Sequence, residues 1–289
     1  MQAWFSAKPI DATFGVIVTG CDAATLDEQG FAELYALWLD HALLVLPGQH
    51  LTREQQIAFA GRFGQASGTI FDISTVRPDG VLRSDAVGED ASFLNMLRGN
   101  YDWHADGSYG PALAKGAVYS AQVVPATGGQ TGWADMRAAY DALDDALRAR
   151  LETLAAHHSI QRGQARQGLV HDHRNIDLGT ERNPLRPLVR THPETGRKSL
   201  MMGRHAWLVP GMGEDQSRAF LDGLVEIACQ PPRVYFHDWR PGDVVVWDNR
   251  CLLHCVKPWD MCEPRVMWHA GIVGSEASDA ILSIDEPVA

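Results

Sequence analysis

The chain has 289 residues, 45% hydrophobic and 21% charged, an ordinary balance for a globular protein able to bury a sizeable core. With 36 acidic against 25 basic side chains the formal net charge is −11, which argues against a nucleic-acid or anionic-membrane partner. An anionic substrate is still open, because a few local arginines make a positive pocket.

The elements follow in chain order. Phe14 to Gly20 reads as a strand ended by glycine, and Phe31 to His41 as a helix with Phe31, Leu34, Leu37 and Trp38 on one face. Ala42 to Leu46 is a continuous apolar run closed by Pro47-Gly48, the pattern of a buried strand. The most apolar early stretch, Leu34 to Leu46, is interrupted by Asp40 and His41 and too short to cross a bilayer, and the amino terminus lacks an export-signal pattern. Thr52 and Gln55 form a capping box for a helix over Arg53 to Phe63, ended by Gly64. Residues 66 to 100 show no clear period and read as loops and short strands. Ala117 to Val124 is a strand, Pro125 to Gly129 a turn, and Thr131 to Ala134 extended again. A helix is predicted over Met136 to Leu154, then a polar, exposed excursion over 160 to 187 with His157, His158, His171 and His173 in or beside it. A turn over Pro193 to Lys198, a helix from about Asp215 to Cys229, and strands over Asp243 to Asp248 and Arg265 to Val273 complete the pattern. No repeat or low-complexity linker divides the chain, so a single domain over 1–289 is expected. Trp247 and Trp268 are expected in the core.

The chemistry concentrates in Tyr101-Asp102-Trp103-His104-Ala105-Asp106-Gly107 and in Trp247-Asp248-Asn249-Arg250-Cys251-Leu252-Leu253-His254. Two imidazoles and one carboxylate can occupy one face of an octahedral Fe(II) and leave three positions open for substrates and oxygen. His104 and Asp106 have the spacing of strand residues that share a side. Arg265, on a predicted strand with Met267 and His269 on the same face, is a fixed cation able to hold an organic acid beside the metal. The five cysteines, Cys21, Cys229, Cys251, Cys255 and Cys262, are sparse and odd in number, which points to reduced thiols and a cytoplasmic setting. Cys251, Cys255 and Cys262 around His254 form no Cys-x-x-Cys pair, so a structural zinc is disfavoured. Thr127 to Thr131 lacks the lysine of a phosphate-binding loop, and Gly128-Gly129 reads as a turn.

Trp103 to Asp106, Gly128 to Thr131, Trp247 to Arg250 and the His254/Arg265 pair resemble the taurine dioxygenase and 2,4-dichlorophenoxyacetate dioxygenase family. Ala134 to Leu143, Arg190 to Pro193 and Gly196 to Leu200 are similar to its phenoxyacetate branch, and the likeness extends to Leu46 to Gln49 and Phe59 to Gly64. The resemblance implies a β-rich α+β fold, a double-stranded β-helix or jelly roll with flanking helices. It implies His104, Asp106 and His254 as Fe(II) ligands, and Arg265 with Thr131 as holders of the distal carboxylate of 2-oxoglutarate. The implied reaction is oxidative decarboxylation of 2-oxoglutarate by O2 coupled to hydroxylation of an aliphatic C–H bond. Hydroxylation beside an ether oxygen cleaves the ether; beside a sulfonate it releases sulfite. Asp106 argues against a halogenating variant, which needs a small residue at that position.

One position departs from the family pattern: where an arginine four residues after the cosubstrate arginine helps bind the substrate acid, this chain has His269. That weakens the case for a small sulfonate or carboxylate at that spot and favours a larger, aryloxyalkanoate-like acid. Asn100, Arg98, Arg204 and His269 are the candidate substrate residues. A sulfonate or sulfate-ester dioxygenase, a non-catalytic metal-binding ligand sensor and a zinc hydrolase are the alternatives. The expected partners are a small organic acid and further copies of the chain in a homodimer or higher homo-oligomer, with no nucleic acid and no membrane.

Overall fold

Leu43–Leu46 and Val244–Trp247, in the middle of the central sheet, are buried on both faces, which is why they read as unbroken apolar runs. The computed structural model describes residues 4–85, 88–167, 183–276 and 281–282. The chain opens with β1 (Ser6–Pro9), β2 (Val16–Thr19), α1 (Glu28–His41), β3 (Leu43–Leu46) and α2 (Arg53–Phe63). It continues through β4 (Phe71–Ser74), α3 (Glu89–Gly99), β5 (Gly116–Val123), β6 (Thr131–Asp135), α4 (Met136–Asp141) and α5 (Asp145–Glu152). Next come β7 (Ala155–His158), α6 (Ile160–Arg166), β8 (Leu185–Pro187), β9 (Val189–Thr191), β10 (Lys198–Leu200) and β11 (Ala206–Leu208). Last are α7 (Glu214–Ala228), β12 (Val234–His237), β13 (Val244–Asp248), β14 (Leu252–Val256) and β15 (Val266–Ile272).

Seven strands form one sheet in the order β1-β2-β3-β13-β5-β15-β4, and three form a second in the order β12-β6-β14. β13 lies between β3 and β5, antiparallel to both. Its side chains alternate: Val244 and Val246 join Phe31, Leu34, Trp38, Phe59 and Phe63 of α1 and α2 in one apolar layer. Val245 and Trp247 join Trp133 of β6 and Leu252 of β14 in a second layer, on the other face. Burying each such side chain contributes about 1.5–3 kcal/mol. The outer face of the small sheet, with Ala134 and Leu253, packs against α4 and α7 through Met136, Tyr140, Leu221 and Leu224. Two further small sheets, β11-β7-β8 and β10-β9, extend that side.

Local chemistry sets the element ends. Thr52 Oγ1 accepts from Gln55 N at 3.2 Å and Gln55 Oε1 accepts from Thr52 N at 2.8 Å, the expected capping box. The helix expected over Met136 to Leu154 is instead two helices. Asp144 takes an extended backbone and its side chain accepts from Leu147 N, capping α5 and breaking the run. Residues 66 to 100 hold a helix, α3, which buries Leu94 and Leu97 although no side chain caps its start at Gly88. The expected excursion over 160 to 187 begins with α6, capped by Ser159, and ends in β8; residues 168–182, including His171 and His173, lie outside the described residues. His158 does lie beside that segment, its N donating to Pro184 O at 3.0 Å, but it is a core residue. It is fully buried in β7, where burial pulls its pKa down to about 3. Trp247 is buried as expected, whereas Trp268 is half-buried under the Arg53 guanidinium. Among the described residues no helix is long and apolar enough to cross a membrane.

Candidate metal and cosubstrate site

His104 and His254 stand opposite each other in an isolated antiparallel bridge. His104 N donates to His254 O at 2.9 Å and His254 N donates to His104 O at 2.8 Å. β14 therefore carries the second histidine to the first, and the chain turns at Asp106. Asp106 Oδ1 lies 3.8 Å from His104 Nε2 and 3.6 Å from His254 Nε2. One ligand atom from each of the three residues falls within 4.8 Å of the others.

The protonation states suit a divalent cation. His104 Nδ1 lies 2.8 Å from the Asp102 carbonyl, which can only accept, so Nδ1 carries the hydrogen and Nε2 the lone pair. Burial, then the neighbouring His254 and Arg204, hold His104 well below its ordinary pKa; burial also lowers His254. Burial alone would raise the Asp106 carboxyl, but His254, His269 and His104 outweigh it and hold it well below the usual carboxylate range. Two neutral imidazoles and an ionised carboxylate converge, and that donor set fits Fe(II).

Asn249 secures the turn. Its Oδ1 accepts from Asp106 N, and its Nδ2 donates to Asp106 O and Ala114 O, each at 2.9 Å. Nothing in the Trp247 to Arg250 motif as a sequence marks Asn249 for this role. The adjacent cluster of His192, Asp248 and Cys251 also has metal-ligand atoms within 4.8 Å. It is already satisfied: His192 Nδ1 accepts from Glu194 N and Thr195 N, so Nε2 donates to Asp248 Oδ2 at 3.0 Å. Cys255 lines the cavity described next, and Cys262 is exposed; the five thiols are free.

The triad opens on a cavity of roughly 420 Å³ also lined by Thr131, Arg265, Asn100, Arg204 and His269. Arg265 is 2% exposed. Its Nη2 donates to Gly129 O at 3.0 Å, its Nη1 to Tyr119 Oη at 3.4 Å, and its Nε has no partner. Among the described residues these partners include no carboxylate, so a buried cation, its guanidinium 4.7 Å over the Trp259 ring, faces the cavity without an anionic partner. Gly129 is what lets it fit: the backbone has φ +69°, and a Cβ there would sit 3.1 Å from Arg265 Nε. Thr131 Oγ1 accepts from Trp239 Nε1 at 2.9 Å, which leaves the hydroxyl hydrogen to be donated elsewhere. Trp239 is a residue the sequence reading missed, since nothing in its neighbourhood marks it.

The candidate substrate residues separate. Asn100 lines the cavity as the cap of α3. Arg98 does not: both its Nη atoms bond the Asp85 carboxylate, and Nη1 also donates to Asn95, so a nearer anion takes it up. Arg204 lines the cavity, is 9% exposed and keeps Nη1 without a partner. His269 lines the cavity with Nε2 3.5 Å from Asp106 Oδ2 and its ring against Tyr119 and Trp247. Phe71, Ile73, Met96, Leu97, Ile160 and Trp259 supply the apolar wall.

The chain is 54% identical over 290 residues to an (S)-phenoxypropionate/alpha-ketoglutarate-dioxygenase of Sphingobium herbicidovorans, covering 98% of this chain and 100% of that protein. It is 36% identical over 286 residues to an alpha-ketoglutarate-dependent 2,4-dichlorophenoxyacetate dioxygenase of Cupriavidus pinatubonensis, covering 91% and 96%. Its structure is similar to that of AAD-2 in complex with Mn(II) and N-oxalylglycine, with a TM-score of 0.85 at 36% identity, covering 98% and 100% of the two chains. A family model described as Taurine catabolism dioxygenase TauD, TfdA family, matches residues 6–270, and the chain belongs to that family.

Proposed function

We propose that this chain is an Fe(II)- and 2-oxoglutarate-dependent oxygenase that hydroxylates the ether carbon of an aryloxyalkanoate, of the (S)-2-aryloxypropionate type. One observation carries the reading: a single cavity holds the triad and two buried arginines, Arg265 and Arg204, neither within ion-pair reach of a carboxylate among the described residues. Two uncompensated cations call for two organic acids. The relatives' names supply the pair, an oxoacid cosubstrate and an aryloxy acid.

His104, Asp106 and His254 are the residues that would hold Fe(II), which when bound supplies the activation of O2 that drives the oxidation. Arg265 and Thr131 take the distal carboxylate of 2-oxoglutarate, the arginine by charge-assisted hydrogen bonds and the threonine through the hydrogen that Trp239 leaves free. Arg204 takes the substrate carboxylate. The apolar wall takes the aryl ring and excludes water, so the bond beside the ether oxygen is the one presented. Hydroxylation there gives a hemiketal that collapses to a phenol and a 2-oxoacid, while 2-oxoglutarate becomes succinate and CO2.

The fold that carries this is a double-stranded β-helix, and residues 1–289 are one domain. The facing seven- and three-stranded sheets support the first, and the sharing of one sheet by strands from both ends of the chain supports the second. Free thiols support a cytoplasmic setting. The test is succinate release from purified protein with Fe(II), 2-oxoglutarate and a panel of both aryloxypropionate enantiomers, aryloxyacetates, alkyl sulfates and taurine. The (S)-aryloxypropionate gives the fastest turnover, with matching phenol release. Absence of succinate release under every one of these conditions would favour a non-catalytic sensor in place of the enzyme.

A further inference from the structure

Arg204 is held from behind by a buried histidine for which the chemistry above has no use. Arg204 Nε donates to His205 Nε2 at 2.9 Å, so that nitrogen carries the lone pair and Nδ1 the hydrogen. His205 Nδ1 lies 3.1 Å from Ser108 Oγ and donates to it. Ser108 and His205 are 1% and 2% exposed, so the brace behind Arg204 is buried, although the cavity that Arg204 faces also reaches the His205 ring. A carboxylate in place of His205 would fix the arginine and also neutralise it. The neutral imidazole fixes one N–H and leaves the charge uncompensated. Asp106 and Asp102 act on Arg204 only through space, neither forming an ion pair with it among the described residues.

The backbone sets the same group in register with the triad. Arg204 N donates to Trp103 O at 2.9 Å, one residue before His104. Gly203 permits that approach: its φ is +115°, and a Cβ would come within 2.8 Å of Trp103 O. α6 closes over the pair at Gly163, where a Cβ would meet Arg204 O at 2.9 Å and His205 Cδ2 at 3.3 Å.

We propose that His205, braced by Ser108, is a positioning residue for substrate recognition: it fixes Arg204 through Nε and leaves Nη1 to the substrate carboxylate. The inference rests on the aryloxyalkanoate reading above. It adds that preference for the charged acid over a neutral analogue depends on a residue that holds the arginine and does not itself pair with the carboxylate.

The test is a double-mutant cycle on binding, by calorimetry without oxygen, to protein loaded with Mn(II) and 2-oxoglutarate. The probes are (S)-2-phenoxypropionate and its neutral primary amide. Wild type binds the acid more tightly, and Arg204→Gln abolishes that preference with a loss for the acid on the order of a hundredfold. His205→Leu weakens the acid by about tenfold and spares the amide, and His205→Gln, whose amide oxygen can still accept from Arg204 Nε, restores acid binding. In the Arg204→Gln background, His205→Leu changes nothing further. If that second change weakens the acid as much with Arg204 absent, or weakens acid and amide alike, His205 serves the fold alone and the inference falls. If His205→Leu does not fold, Ser108→Ala takes its place with the same acid-specific loss. Wild type that does not distinguish acid from amide overturns the carboxylate reading of Arg204 itself, a separate outcome.

Discussion

His104 and His254, 150 positions apart in the chain, exchange both backbone hydrogen bonds of an antiparallel pair, with ring centroids 4.2 Å apart. Main chain alone thus brings two of the three proposed metal ligands together. His104→Ala or His254→Ala removes one of three ligands without breaking this pair. Each variant is expected to keep its melting temperature without metal within a few degrees, lose most Fe(II) affinity and lose turnover. Near-normal succinate release in either variant would sink the ligand assignment.

Arg265→Leu is expected to raise the 2-oxoglutarate requirement by the cost of stripping one partner from a buried charged pair, about 2–5 kcal/mol. Metal affinity without cosubstrate stays near wild type. Trp239→Phe tests the threonine separately, since it frees Thr131 Oγ1 to rotate. One neutral hydrogen bond is worth about 1 kcal/mol, so the 2-oxoglutarate requirement rises roughly fivefold. An unchanged cosubstrate dependence in both variants would place that carboxylate elsewhere.

The Asp248 cluster predicts acid behaviour. Burial pushes the Asp248 carboxyl up, but Arg250 and His192 outweigh it and hold it far below the ordinary range. Burial likewise opposes ionisation of Glu194, yet hydrogen bonds from Tyr35 and Arg250 bring it down to about 2. Both carboxyls have folded values below unfolded ones, so their stabilisation is complete above about pH 4.5 and lost as pH falls toward 2. The melting temperature of metal-free protein should fall steeply across that window. Asp248→Asn should lower it by several degrees at pH 7, since Arg250 is left buried without its main partner, and should flatten the acid slope. A parallel acid slope in Asp248→Asn would rule this source out.

What was legible in the sequence follows physical type. The triad, Arg265 and Thr131 stand in recognisable motifs, and the capped helix α2 announces itself through Thr52 and Gln55. Apolar runs such as Leu43 to Leu46 are readable because both sheet faces are covered. α3 was hidden because it starts at an uncapped glycine and its buried residues are only Leu94, Leu97 and Gly99. Arg98 could not be told from Arg204 by composition. Only tertiary contact reveals that Asp85 claims one and that a neutral His205 leaves the other charged. Asn249 acts through three long-range hydrogen bonds and Trp239 through one, none of which a local pattern encodes.

The last prediction concerns His269. It follows Arg265, the residue just before β15, by four and lines the same cavity, but it leans on Asp106 Oδ2 at 3.5 Å. It therefore does two jobs that substitution separates. His269→Ala removes a hydrogen-bonded neighbour of a metal-binding carboxylate, and Fe(II) affinity should fall by about 10–100-fold. His269→Arg keeps a donor near Asp106 and adds a permanent planar cation to the cavity. Wild type should turn over taurine poorly against an (S)-aryloxypropionate, because a small sulfonate finds no fixed cation at this position. His269→Arg should raise the ratio of taurine to aryloxypropionate turnover, provided metal affinity, measured alongside, is retained. A ratio unmoved by the change, with Fe(II) bound normally, would confine His269 to supporting Asp106 and leave selection to Arg204 and the apolar wall.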